Sequence, residues 1–213
     1  MKTLIAIPCM DTVPVQFMQS LLYLDKTGYG EVSVAVESGS LIYDSRNLLL
    51  HRAIEAGVDR MLWFDSDMQF EPDVMQKLFA DLDAGCDVVS GLYFKRRSPY
   101  TPVIYSECCI QEAAGLKFPT AAAYLDYPKD ELFEVQAFGF GCVAMNMDSV
   151  RKAVEQYGQM LFMPTGGFGE DLSFCMRARF AGLKLWCDSR VKAGHVGYHV
   201  FDENSAHLLS NGG

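Results

Sequence analysis

Residues 60–79 read RMLWFDSDMQFEPDVMQKLF, and in this stretch a short apolar run meets a pair of carboxylates. The run RMLWF at 60–64 has the length and composition of a buried strand. Asp65 and Asp67 follow it directly, and Pro72 suits the first turn of the helix that comes next. Two like charges this close are unfavourable unless a cation or a proton relieves them. The stretch therefore predicts a strand, a charged segment and a helix. It also requires a group that neutralises the two carboxylates.

Strands and helices alternate on both sides of this stretch. The strands predicted from apolar or alternating runs lie at 3–9, 31–38, 60–64 and 86–94. The helices predicted between them, most of them ended by glycine, lie at 14–28, 45–57 and 72–85. Such alternation is typical of βαβ units. It predicts an α/β fold with a mostly parallel central sheet that carries helices on both faces.

The second half of the chain is less regular. Its strand-like pieces are TPVIYS, ELFEVQAF and the run at 183–188, and its predicted helices lie at 148–157 and 170–182. A glycine-rich loop, PTGGFGED at 164–171, opens the last of these helices. No repeat, low-complexity tract or linker divides the chain. We therefore expect one domain over 1–213, with residues 1–94 and 95–213 as its two halves.

Composition limits the classes of function. The chain has 213 residues and a formal net charge of −9, which argues against sequence-independent binding of nucleic acid. A phosphorylated substrate would have to be attracted locally, by a metal ion or by a few basic side chains. KRR at 95–97 is a dense basic cluster that could contact phosphate on a donor or an acceptor, or form a solvated turn.

Cysteine usage and hydropathy point to a compartment. The seven cysteines are odd in number and include no C-x-x-C pair, so we expect reduced cysteines in the core. The apolar start, TLIAI, is too short for a secretory segment. No run approaches the ~18 apolar residues that span a bilayer. We expect a soluble cytoplasmic protein without an integral membrane segment.

The carboxylate pair lies where an open α/β sheet binds ligands, beyond the carboxyl end of a strand. If strand geometry continues, Asp65 and Asp67 face one side and Ser66 turns away. A hard divalent metal would relieve the repulsion, keep open coordination positions and bridge phosphate oxygens. A metal-bound nucleotide diphosphate is then the economical ligand. The alternative is a surface turn whose carboxylates cap the helix at Pro72.

Several motifs, taken in their order along the chain, resemble those of a known family. DSD and FEPD follow the central strand, with SRN and AIEAGVD upstream and DVVSGLYFKRR downstream; GEDLSFCMRARFAGLKLWCD and GHVG come later. Over roughly residues 3–197 the chain resembles the GT-A fold glycosyltransferases, family 2-like. The resemblance implies a single-domain GT-A fold, with a nucleotide-binding half at 1–94 and an acceptor-binding half at 95–213. It also implies transfer of a sugar from a nucleoside-diphosphate sugar, with UDP favoured, to the hydroxyl of a saccharide or another acceptor.

The resemblance also implies a metal site. Asp67 matches the aspartate that ligates the metal, and Asp65 matches the one near the donor ribose and sugar, with contact to the metal through water as a second role. His195 matches the late histidine that completes the site, and His199 is its rival. Imidazole combined with carboxylate favours Mn²⁺ over Mg²⁺.

Further roles follow from the same resemblance. Asp171 matches the catalytic base of inverting members, and its place in the first turn of a helix is expected to keep it ionised. Glu170 is expected to orient the acceptor. Arg46 could reach the diphosphate, or could be a surface arginine beside Asp44. The remaining predicted donor-binding residues are Pro8, Glu37, Ser38 and Ser66.

Other chemistries fit less well. A haloacid dehalogenase-type phosphatase would place its D-x-D on the first strand, and a nucleotidyltransferase would carry a basic glycine loop there. GFGCVA at 139–144 is not followed at once by a helix, which excludes a nicotinamide site, and we assign it to the acceptor side. The remaining alternative is a non-catalytic nucleotide- or carbohydrate-binding module on a GT-A fold.

Overall fold

The central feature of the molecule is a seven-stranded mixed sheet. The structure is a computed structural model that describes residues 1–39, 41–113, 115–197 and 200–203. The helices are α1 (Val15–Tyr23), α2 (Ile42–Glu55), α3 (Val74–Asp83), α4 (Met147–Tyr157) and α5 (Glu170–Phe180). The strands are β1 (Lys2–Cys9), β2 (Glu31–Ser38), β3 (Arg60–Phe64), β4 (Met68–Gln69), β5 (Val88–Leu92), β6 (Ile104–Ala113), β7 (Leu116–Ala123), β8 (Leu132–Val135), β9 (Ala137–Phe138), β10 (Cys142–Asn146), β11 (Leu185–Lys192), β12 (Gly194–Val196) and β13 (Val200–Phe201).

The large sheet has the strand order β2-β1-β3-β10-β5-β11-β8. Its strands β2, β1, β3, β5 and β11 run in one direction, while β10 and β8 run against their neighbours. The predicted α/β class with a mostly parallel sheet is therefore confirmed. Both predicted halves of the chain contribute strands to this one sheet.

Strand β10 is the main difference from the predicted topology. It lies between β3 and β5, two strands that the predicted alternation makes neighbours. The sequence analysis assigned GFGCVA at 139–144 to the acceptor side and predicted no strand there. Residues 142–145 of β10 are buried like those of β3, but β10 follows other strand-like pieces without a helix between them, so the alternation of strands and helices does not indicate it.

Alternate residues of the central strands enter two different cores. Leu4 of β1 and Trp63 of β3 belong to a cluster that is completed by helices α2, α4 and α5. Ile5 and Phe64, their neighbours in sequence, belong to a second cluster with α1 and α3. This follows from the period of two along a strand. The prediction of helices on both faces is confirmed.

The region 95–137 holds more strand than its sequence indicated. Strands β6 and β7 form a long antiparallel hairpin, and β9 pairs with the other side of β6. Pro119 lies within β7, which is an edge strand of that small sheet. Proline is tolerated at a sheet edge because the missing N–H is not needed there, but it weakens a strand prediction.

None of the helices in the described part of the chain has the length and apolar character needed to cross a bilayer.

Candidate functional site

A cleft of about 740 Å³ lies at the carboxyl ends of β1 and β3. Its walls come from both halves of the chain. The sequence-predicted residues that line it are Pro8, Asp65, Ser66, Asp67, Asp171 and His195. This is the edge at which open α/β sheets bind their ligands.

The two carboxylates are presented by a turn and not by an extended strand. The backbone N–H of Met68 donates to the carbonyl of Asp65 at 3.1 Å, and the N–H of Asp65 donates to the carbonyl of Gly141 at 3.1 Å. The prediction that strand geometry continues through Asp67 is wrong, because β3 ends at Phe64. Ser66 therefore lines the cleft together with both aspartates and does not turn away.

Asp65 is paired with a buried guanidinium. Nη2 of Arg46 donates to Oδ1 of Asp65 at 2.8 Å, and the arginine is only 1% exposed. The same Nη2 lies 3.4 Å from Oδ1 of Asp171, and Nε lies 3.8 Å from Oε1 of Glu170. One guanidinium thus lies within 4 Å of three carboxylates. Arg46 is neither a surface residue beside Asp44 nor a lining residue of the cleft, and its charge is directed to the protein's own acids.

Aromatic rings hold Arg46 in place. Its guanidinium carbon lies 5.3 Å from the ring centre of Phe140, 5.9 Å from Phe162 and 6.0 Å from Trp63. Its Nε and Nη1 make no hydrogen bond with any residue that the structure describes. A cation enclosed by rings and excluded from water interacts strongly with nearby carboxylates. Arg46 is therefore a fixed positive charge beneath the cleft.

Asp171 lies in the first turn of α5 and has an unusual acidity. Burial raises its pKa to about 7; the charge of Arg46 opposes the rise, while the carboxylates of Glu170 and Asp65 add to it. The prediction that Asp171 stays ionised therefore needs correction, because burial brings its pKa close to neutrality and leaves part of the group protonated at pH 7. A carboxylate that titrates near neutrality suits a general base.

The glycine loop before α5 is shaped by the β6–β7 hairpin. Gly166 and Gly167 adopt φ of 61° and 86°. A Cβ atom at Gly166 would lie 2.5 Å from Ile110, and one at Gly167 would lie 3.0 Å from Pro119. Glycine is required because this backbone is left-handed and the hairpin lies directly against it. The loop delivers Asp171 to the cleft.

Asp67 and His195 meet although they are far apart in sequence. Strand β12, which carries His195, pairs with β4 just after Asp67. The N–H of Val196 donates to the carbonyl of Asp67 at 2.7 Å. Nε2 of His195 then lies 3.4 Å from Oδ2 of Asp67. His199, the rival predicted ligand, lies outside the described residues.

The tautomer of His195 bears on metal binding. Its Nδ1 lies 3.1 Å from the carbonyl of Phe94, and a carbonyl can only accept, so Nδ1 carries the hydrogen. A metal-binding histidine is commonly oriented by such a hydrogen bond. Nε2, the other ring nitrogen, faces Oδ2 of Asp67 and is the atom available to a metal ion.

The donor set fits a divalent ion in part. Two ligand atoms on one ion with bonds of about 2.1 Å lie roughly 3.0–3.4 Å apart, which matches the separation of Asp67 Oδ2 and His195 Nε2. Among the described residues, however, no group of three or more His, Cys, Asp or Glu side chains could hold a metal. Asp65, the third predicted ligand, directs Oδ1 to Arg46. Of the predicted ligands that the structure describes, Asp67 and His195 are therefore the two in position, and a bound ion would take further ligands from substrate and water.

Asp67 already has a cationic partner in the protein. Nη1 of Arg96 lies 2.8 Å from Oδ2 of Asp67 and also donates to the carbonyl of Val196 at 3.2 Å. Burial alone would raise the pKa of Asp67, but the hydrogen bond and charge of His195, with the charge of Arg96, lower it below its usual value. Lys95 and Arg97 line the same cleft. The basic cluster of the sequence is thus part of the site.

Two predicted donor-binding residues lie beside the cleft. Oε2 of Glu37 pairs with Nη1 of Arg52 at 2.6 Å, and Oγ of Ser38 donates to the carbonyl of Met10 at 2.6 Å. Neither residue lines the cleft, whereas Pro8 does.

Tyr93 is a lining residue that the sequence analysis missed. Its hydroxyl accepts from the N–H of Gly141 at 3.2 Å, and its ring meets the His195 ring edge-on at 5.7 Å. A Cβ atom at Gly139 or Gly141 would collide with Tyr93. The glycines of GFGCVA therefore make room for this tyrosine, and their assignment to the acceptor side stays a prediction. The available signal was the position of Tyr93 near the carboxyl end of the strand predicted at 86–94, where ligands of an open α/β sheet bind.

Comparisons with known proteins bear on the fold. No protein-family model matches the chain, and no curated protein matches it. Among solved structures, the crystal structure of A197 from STIV is similar, with a TM-score of 0.64, 20% identity, and coverage of 92% of this chain and 86% of that chain. At this identity the similarity shows a shared α/β fold alone.

Proposed function

We propose that the protein is a metal-dependent glycosyltransferase of the GT-A type. It would move a sugar from a nucleoside-diphosphate sugar, with UDP favoured, to the hydroxyl of a saccharide or another acceptor. One observation carries the proposal: the Asp65-Ser66-Asp67 turn, Asp171 and His195 line one cleft at the carboxyl edge of the sheet. These are the residues that the family resemblance assigns to donor, base and metal.

The donor end of the cleft has groups suited to a metal diphosphate. Asp67 and His195 would hold the ion, and imidazole beside carboxylate favours Mn²⁺ over Mg²⁺. When bound, the ion would supply Lewis-acid stabilisation of the departing diphosphate. Lys95, Arg96 and Arg97 provide local positive charge in a chain of net charge −9, which favours phosphate at this position.

Asp171 would act as the base. Its carboxylate takes the proton of the acceptor hydroxyl, the hydroxyl oxygen bonds to the anomeric carbon, and the bond from that carbon to the diphosphate oxygen breaks. The pKa of about 7 leaves a large ionised fraction at neutral pH while keeping the group basic. Attack from the side opposite the leaving group inverts the anomeric centre. Glu170, which lies 3.8 Å from Arg46, would help to orient this end of the site.

The test is turnover of a panel of sugar nucleotides with and without Mn²⁺, read as release of nucleoside diphosphate. Replacing Asp171 by Asn should lower turnover by about 10²–10⁴-fold while UDP binding is kept. Asp148→Asn is the matched control, because Asp148 lies in the first turn of α4 and is 87% exposed. It should leave turnover unchanged.

Two results would count against the proposal. Normal turnover by Asp171→Asn removes Asp171 as the base. Tight binding of UDP without turnover of any sugar nucleotide would instead favour the non-catalytic nucleotide-binding module.

A further inference from the structure

We propose that Arg96 is an exchangeable cation on Asp67: it contacts the oxygen that would bind the metal, and it moves to the donor phosphate when metal and nucleotide bind. The inference rests on the proposed function, because it assumes that Asp67 and His195 take a divalent ion. It adds a control on when that ion can bind.

The geometry places two groups on one oxygen. Oδ2 of Asp67 is contacted by Nη1 of Arg96 at 2.8 Å and faces Nε2 of His195 at 3.4 Å. An ion shared by Asp67 and His195 would need this same oxygen. The guanidinium and the metal therefore compete for it, since two cations cannot both sit at hydrogen-bond or ligand distance without strong repulsion.

Arg96 is placed so that it can leave. Its side chain is 46% exposed, and it lies on the segment between β5 and β6. The ends of that segment are tied together, because the N–H of Lys95 donates to the carbonyl of Thr101 at 3.0 Å. The backbone is thus anchored while the long side chain reaches into the cleft from solvent. Ion pairs at this exposure are weak, so their exchange is easy.

The cleft also offers Arg96 a destination. A guanidinium forms paired hydrogen bonds with phosphate oxygens. Lys95 and Arg97 line the same cleft, so a diphosphate there would meet a basic wall. After the exchange, the metal neutralises Asp67 and Arg96 neutralises the phosphate. In the complex with metal and donor, Asp67 and the phosphate each have a positive partner. Metal binding thereby becomes coupled to donor binding.

Binding of Mn²⁺ alone, measured by the electron paramagnetic resonance of the free ion, tests the competition without any turnover. Arg96→Ala should bind Mn²⁺ about three- to fivefold more tightly than the unmodified protein, because the competing cation is gone. Arg96→Lys, which keeps the charge, should bind it more weakly than Arg96→Ala does. With UDP present, the advantage of Arg96→Ala should disappear, because the unmodified protein then uses Arg96 on the phosphate.

The control is Arg52→Ala, since the Arg52–Glu37 pair is equally half-exposed but lies beside the cleft. It should leave Mn²⁺ affinity unchanged. Equal or weaker Mn²⁺ binding by Arg96→Ala would overturn the exchange while leaving the glycosyltransferase proposal standing. Failure of every variant to bind Mn²⁺, with or without UDP, would overturn both.

Discussion

Arg46 and Arg96 neutralise the two carboxylates of one turn from opposite sides. Arg46 reaches Asp65 from the interior and Arg96 reaches Asp67 from solvent, and both shortest contacts are 2.8 Å. The side chain of Arg46 is 2% exposed, whereas that of Arg96 is 46% exposed. Contact distance therefore does not distinguish the two pairs, but burial does.

The difference in exposure indicates a structural role for Arg46 and an exchangeable contact for Arg96. Arg46 is buried and enclosed by aromatic rings, and it is the one cation that pairs with Asp65, Glu170 and Asp171 among the described residues, so its departure would leave three acids without a partner. A half-exposed arginine is solvated wherever it points, so it gives up its partner at little cost. The turn Asp65-Ser66-Asp67 therefore has one buried counter-charge and one half-exposed counter-charge, and the second is the one that we propose to exchange. This answers how two adjacent carboxylates are tolerated without a metal.

The largest effect is expected when the buried pair, Arg46 with Asp65, is broken. Arg46→Ala should lower the free energy of unfolding by about 3–5 kcal/mol, because it removes a buried cation from three partly buried carboxylates and leaves a cavity among the rings. Urea unfolding followed by tryptophan fluorescence measures this, since Trp63 lies beside the guanidinium. Arg96→Ala is the control. A loss below about 1 kcal/mol for Arg46→Ala would mean that burial does not separate the two arginines.

A second prediction concerns the pH dependence of Asp171, one of the three acids that Arg46 contacts. Burial raises the pKa of Asp171 to about 7, so the group is protonated at lower pH and active as a base only above it. Sugar transfer should fall about tenfold from its plateau to pH 6 and recover as the pH rises past 7. The measurement is kcat/KM against pH at saturating Mn²⁺. A flat profile between pH 5 and 8 would contradict the assignment of Asp171.

The smallest effect is expected when the half-exposed pair, Arg96 with Asp67, is broken. Arg96→Ala should change the free energy of unfolding by at most about 1 kcal/mol, and less in high salt, because the pair is half-exposed and screened. The same urea titration at low and high ionic strength measures it. If the variant lost more than about 2 kcal/mol, the outer arginine would be structural and unable to exchange.

Much of the site follows from the sequence alone. The run RMLWF at 60–64 places Asp65 and Asp67 at a strand end, and the glycine loop before α5 places Asp171 at a helix start. Local patterns suffice here, because apolar runs, prolines and glycines act on the nearest few residues. That His195 would join Asp67 was implied by the family resemblance, since no local pattern relates the two residues.

The partners of these residues did not follow from local patterns. Arg46 sits in a helix with polar and apolar neighbours, and only the convergence of Phe140 and Phe162 from another part of the chain buries it. The insertion of β10 between β3 and β5 was missed for a similar reason, because no local pattern fixes which strands become neighbours in a sheet. Glu37 was predicted at the donor site but pairs with Arg52 beside it.

The sequence by itself determined the alternating strands and helices, the acidic turn at a strand end and the acid at the start of α5. These depend on backbone preferences and hydrophobic periodicity, which act over short distances along the chain. The tertiary structure alone decided which arginine is buried, which is exposed, and how acidic Asp171 becomes. Those properties depend on exclusion of water by distant segments, and exclusion of water is what sets the strength of a charge interaction.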